Sequence, residues 1–156
     1  MKRYIYLLFL AVSLAGISSC SKSNDPEPDP VVGTWKLDRV RTSGFSAPYT
    51  SFNGDEDPSL YDYQDNFTIK SDKTFTGTVR NSGRIIDYDG SWSYSSNTLM
   101  ISDTQGNSST FTLDATKSPV QLLGEVVALS DSIRNPTTNK GELVRFSQQL
   151  IYSKQP

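Results

Sequence analysis

From Val32 onward the chain alternates apolar and polar residues with a period of two, interrupted by short polar turns. Successive side chains of a strand point to opposite faces, so this period makes one face apolar and leaves the other for water. Trp35 and Leu37 share a face, with Lys36 and Asp38 opposite. Phe67 and Ile69 repeat the pattern, and after the turn Ser71-Asp72-Lys73 the residues Phe75, Gly77 and Val79 alternate with threonines. Ile86, Tyr88, Trp92 and Tyr94 continue it on either side of Gly90. Leu99 and Ile101 follow Asn97, and Phe111 and Leu113 follow the turn Gln105-Gly106-Asn107. Val127 and Leu129, Val144 and Phe146, then Leu150 and Tyr152 complete the series. About eight strands joined mostly by short loops predict an all-β fold, an antiparallel barrel or sandwich.

Two local features qualify the pattern. Strict alternation from Trp35 would turn Arg39 inward, where a lone cation is costly, so a bulge is expected before Val40. The only helical signal is 58–63, with Asp57 as N-cap and Pro58 at the first helical position, and it allows one or two turns.

Composition excludes several functions. At 156 residues one domain is the natural reading, and a net charge of −2 leaves no basic footprint for nucleic acid. The chain has no histidine and one cysteine, which excludes an intramolecular disulfide and a thiolate-rich zinc site. Nucleophilic triads lose their usual base, so no catalytic residues, no cofactor and no enzyme are expected. Asn53, Asp55 and Asp57 have the spacing that begins a calcium loop. Pro58 then stands where the turn glycine belongs and Gln64 replaces the bidentate glutamate, so the reading is a solvated acidic loop with no metal.

The first twenty residues carry a different message. Lys2 and Arg3 precede an apolar run that reaches Ile17, too short to span a bilayer and suited to a signal-peptide core. It ends in Ile17-Ser18-Ser19-Cys20, which resembles the lipobox of bacterial lipoproteins. That resemblance implies cleavage before Cys20, acylation of its thiol and an outer-membrane, lipid-anchored location, its periplasmic or surface side left open. Several acyl chains make a stable anchor where one does not. Loss of 1–19 removes Lys2 and Arg3 but no acid, so the membrane partner would be held by lipid and not by a basic patch. Next comes SKSNDPEPDP, which alternates proline with acid and lacks an apolar anchor. The expected organisation is a signal peptide at 1–19, a lipidated flexible tether at 20–31 and a β domain at 32–156.

Within that domain Val32-Gly33-Thr34-Trp35-Lys36-Leu37 resembles the opening G-x-W strand of lipocalins, especially the short lipocalin-like domains of Bacteroidetes-type lipoproteins. Ile69-Lys70-Ser71-Asp72-Lys73-Thr74-Phe75, Gly90-Ser91-Trp92 and Asn97-Thr98-Leu99-Met100-Ile101 match the hairpin and strands that follow in that group. Lys73 stands where the group prefers glycine, so its turn must hold a non-glycine at positive φ or change type. The resemblance implies an eight-stranded, mostly antiparallel lipocalin-like barrel with Trp35 and Trp92 in the core. It also implies a late arginine stacked on the first tryptophan by a cation–π contact. Arg145 is the candidate for that role, although alternation places it opposite Val144 and Phe146.

Two functions stay open. One is a non-catalytic module that binds a small apolar or amphipathic ligand, in a pocket of roughly 300 Å³ or more, under the long 42–65 loop with its Phe45, Tyr49, Phe52, Tyr61 and Tyr63. The other is a solid barrel whose aromatic loop meets an envelope protein or glycan. Short strands and large inward residues favour a small or filled interior.

Overall fold

The computed structural model describes residues 28–156. The lipobox residues Ile17, Ser18 and Ser19, the lipidation site Cys20 and the signal segment lie outside the described residues.

Among the described residues, ten strands form one antiparallel sheet. The chain enters through β1 (Gly33–Ser43), makes the three-residue β2 (Gly54–Glu56), and then winds through a meander. The meander runs β3 (Tyr63–Ile69), β4 (Thr74–Asn81), β5 (Arg84–Ser95), β6 (Thr98–Asp103), β7 (Ser108–Asp114) and β8 (Gln121–Gly124). It ends in the hairpin β9 (Val127–Arg134) and β10 (Gly141–Lys154). Pairing of β1 with β10, from Trp35 opposite Lys154 to Ser43 opposite Ser147, closes the sheet. The closed barrel has eight strands, β1, β3 to β8 and β10, while β2 and β9 lie outside it.

This position of β9 differs from the alternation pattern, which counts Val127 and Leu129 as a barrel strand. The four-residue β8 takes that place, pairing Leu122 with both Leu113 of β7 and Tyr152 of β10. β9 continues in the same direction along the first half of β10, which at 14 residues outlasts the barrel. The two strands form a hairpin that projects beyond the barrel wall.

β1 bulges at Asp38, since Leu37 faces Tyr152 while Arg39 faces Ile151. The extra residue brings Arg39 out to ion pairs with Asp38 and Asp55 and sets Val40 opposite Leu150. The turns obey their local chemistry. Lys73 adopts φ +66°, and Ser96 and Asn97 adopt φ +47° and +68° in the tight β5–β6 hairpin, where the Asn97 amide donates to the Leu113 carbonyl. Asp57 caps a single 3-10 turn at Pro58–Tyr61 by accepting the Ser59 N–H at 2.9 Å.

One end of the barrel is filled. Trp35 is fully buried, Trp92 is 5% exposed, and Leu99, Leu113, Leu122, Ile69 and Phe75 close around them. The indole N–H of Trp35 donates to the Val31 carbonyl at 2.8 Å, and that of Trp92 to the Lys70 carbonyl at 2.8 Å. An indole buried without such an acceptor would leave an unpaired donor. Val31 is itself fully buried, Asp29 bonds Lys73, and the Pro30 carbonyl accepts from Lys154. Residues 29–31, read from the sequence as the end of the tether, lie against the barrel through these contacts, and the Val31 carbonyl receives the Trp35 indole.

The basic residue over Trp35 is Lys154, with Nζ 5.7 Å from the ring, and not Arg145. In the barrel half of β10 the even-numbered residues face inward, so Lys154 follows Leu150 and Tyr152 onto the tryptophan, while Arg145 is exposed on the projecting hairpin. Burial lowers the pKa of Lys154. Lys73 plays the same part at Trp92, 3.9 Å from its ring.

Candidate functional site

The other end of the barrel is open. Above the packed layer lies a pocket of about 510 Å³, contrary to the filled interior that large inward residues suggest. Its floor is an aromatic trio: Phe67 of β3, Phe111 of β7 and Tyr152 of β10, with ring centroids 5.1 to 5.7 Å apart. Above it Ile101, Leu150, Val127 and Leu129 supply apolar wall, and Ser109, Gln148 and Tyr63 supply polar edge. The cavity survives because glycines and small residues stand among the large ones. Ser109 and Gly124 are among them in its lining.

Asp65 sits at the centre of this wall. The odd-numbered residues of β3 face inward, so Tyr63, Asp65 and Phe67 rise in one row from mouth to floor. The Tyr88 hydroxyl donates to Asp65 Oδ1 at 2.6 Å, and the Tyr152 hydroxyl donates to Oδ2 at 2.7 Å. Each carboxylate oxygen therefore accepts one phenol, the geometry of an ionised group. No lysine or arginine pairs with Asp65 among the described residues. Desolvation raises its pKa, opposed by the two tyrosine hydrogen bonds. The phenols respond in kind: burial first, and then the field of Asp65, push Tyr63, Tyr88 and Tyr152 upward, so all three stay neutral donors.

Gly77 makes this arrangement possible. A Cβ at that position would overlap the Tyr88 ring, so only glycine lets Tyr88 lie across β4 and reach Asp65. Tyr88 also meets Phe75 edge-on at 5.8 Å.

The aromatic residues of the 42–65 loop divide. Tyr63 lines the pocket. Phe45, Tyr49 and Phe52 instead cluster on the projecting hairpin, where Phe45 stacks on Phe146 at 4.7 Å and the Tyr49 hydroxyl donates to Glu142 at 2.8 Å. The hairpin carries an apolar face past the end of the barrel, and these side chains cover it. Tyr61 is 62% exposed and donates to Glu56. The structure thus joins one of the five to the pocket and spends three elsewhere.

The acidic residues of the loop also have separate tasks. The Asn53 amide bridges the backbone of Phe45 and Thr50, Asp55 takes both Arg39 and Arg41, and Asp57 caps its turn. The Arg41 guanidinium holds Asp55 below the usual carboxylate range. Among the described residues no group of three acidic, histidine or cysteine side chains converges as a metal site would require. Sequence reasoning places Asp65 with Glu56 and Asp62 in a solvated acidic loop. Its neighbours Asp62 and Gln64 make it look like loop, but counting back by two from Phe67 puts it on the inward face.

A family model described as a lipocalin-like domain matches residues 31–117, which holds β1 to β7, the Asp65 row and both tryptophans. No curated protein and no solved structure gives a match. The match covers more than half of the chain and agrees with the closed eight-stranded barrel, so the protein belongs to the lipocalin-like domain family.

Proposed function

We propose that this protein is a lipid-anchored, non-catalytic binding module that holds a small amphipathic molecule in the mouth of its barrel. The observation that carries the reading is the pocket of about 510 Å³, apolar at its floor and polar along one wall. Ligand sites of this kind span about 300–1,000 Å³ and combine an apolar lining with a few placed polar groups. An eight-stranded barrel is wide enough for one such ligand. Membership of the lipocalin-like family supports binding over catalysis. The filled-barrel scaffold draws less support, since the mouth is hollow and Phe45, Tyr49 and Phe52 are occupied with the hairpin.

The anchor rests on the sequence. Ile17-Ser18-Ser19-Cys20 supplies the lipobox, and Ser21 after the cysteine fits sorting to the outer membrane. Two experiments test the two halves. Uptake of the neutral fluorophore N-phenyl-1-naphthylamine by the purified protein, lost in a Leu150→Trp variant that fills the pocket, supports binding; a protein that takes up no probe counts against it. Cys20→Ala should leave the signal uncleaved or release the protein from membranes, and unchanged processing and sedimentation would refute the anchor.

A further inference from the structure

The chemistry of the pocket wall says which amphipathic molecules suit it. Among the pocket's lining residues there is no lysine or arginine, and the two charged groups are both acids, Asp65 inside and Glu125 at the exposed rim. A carboxylate-headed amphiphile would bring a third negative charge into a poorly hydrated space with nothing to pair it. Asp65 itself is held half-buried without a counter-ion. A carboxylate offers about four lone-pair positions, and the two tyrosines use one on each oxygen. The remaining acceptor capacity is open to the cavity that Asp65 lines.

We propose that the mouth pocket takes an organic cation: a small protonated amine on an aromatic or aliphatic body, its ammonium on the Asp65 carboxylate and its body on Phe67, Phe111 and Tyr152. This rests on the reading of the mouth as a ligand site. An ammonium brings the donors that Asp65 lacks and the positive charge the pocket is missing. Its charge-assisted bond is roughly twice as strong as a neutral one. The aromatic faces of Tyr88, Tyr152 and Phe111 also attract a cation. A bare metal ion fits poorly, because one carboxylate and two phenols fall short of the six to eight oxygens that calcium takes. Desolvation, which raises the pKa of Asp65 in the free protein, marks the same deficit.

The test compares three molecules of one size and shape on the purified protein by calorimetry: 2-phenylethylamine, 2-phenylethanol and phenylacetate. The expected order is amine over alcohol over carboxylate, with the amine about tenfold or more tighter than the alcohol. Asp65→Asn should bring the affinity of the amine down to that of the alcohol. The groups facing Asp65 are Tyr63, Tyr88 and Tyr152, all pushed up, with Glu125 at the rim. Amine affinity should therefore fall as pH drops through the titration of Asp65, while the affinity of the alcohol stays level. Should Asp65→Asn fail to fold, the order of the three molecules on the unaltered protein still decides. Uptake of the neutral fluorophore with no preference for the amine overturns the cation and leaves the pocket standing. Binding by none of the four probes overturns the pocket and the cation together.

Discussion

Gly77→Ala asks whether the Asp65 arrangement depends on one missing methyl group. A Cβ at residue 77 has no room beside the Tyr88 ring, so the ring must swing away from β4. Two contacts go with it. The hydrogen bond from Tyr88 to a charged carboxylate contributes about 1.5–3 kcal/mol, and the edge-on pair with Phe75 about 0.5–1.5 kcal/mol. In the opposite direction, alanine is better than glycine in a strand interior by about 0.5–1 kcal/mol. The balance is a loss of about 1–4 kcal/mol, or a fall in melting temperature of about 4 °C for each kcal/mol. Urea denaturation followed by tryptophan fluorescence measures it. The background decides the cause. In a Tyr88→Ala protein the clash is gone, so Gly77→Ala should turn neutral or stabilising there. A Gly77→Ala protein as stable as the parent, or one equally weakened in both backgrounds, would show that Tyr88 does not need the space.

Three further outcomes are expected. The Ser153 hydroxyl is buried with no hydrogen-bond partner among the described residues, so Ser153→Ala should leave the urea midpoint unchanged or raise it, and a clear fall would reveal a hidden partner. Lys73→Gly relieves a positive φ, worth about 1 kcal/mol, but deletes the contact over Trp92 and an exposed ion pair to Asp29, each worth about 0–1 kcal/mol. Its thermal melt should shift little, and a drop of more than about 8 °C, near 2 kcal/mol, would contradict that balance. The pKa of Asp65 is raised on folding, so the folded state holds this proton more tightly than the unfolded chain, and ionisation costs stability as pH climbs from the ordinary value of 3.8 through the raised one. Asp65→Asn removes that cost. Its stability relative to the parent should rise with pH across this window and stay flat above it, and a difference that shrinks with rising pH would reverse the assignment.

Much of the architecture is legible in residue order, for a physical reason. Trp35, Phe67, Phe75, Trp92, Leu99 and Phe111 each stand on the apolar side of a polar–apolar alternation, and burial on one face of a strand needs no more than that. The bulge at Asp38 is equally local, because an inward Arg39 has nowhere to put its charge. What escapes reading are features that depend on partners far along the chain. β8 is four residues long and strand-like only because β7 and β10 flank it. Phe45 and Tyr49 look like a lid until β10 proves long enough to need cover. Asp65 draws its meaning from Tyr88 and Tyr152, 23 and 87 residues away.

The seam between β1 and β10 has a consequence for how the molecule comes into being. The strand that enters the barrel first must wait for the strand that ends it, since Trp35 faces Lys154 and Leu37 faces Tyr152. Contacts so distant along the chain are formed late, after the entropy of a loop spanning the whole domain has been surrendered. Until then the nascent sheet has two bare edges, at β1 and at β8, each able to template a stray neighbour. Acquisition of the native state is thus a single late event, and a polypeptide interrupted before residue 150 is an aggregation hazard instead of a weaker barrel.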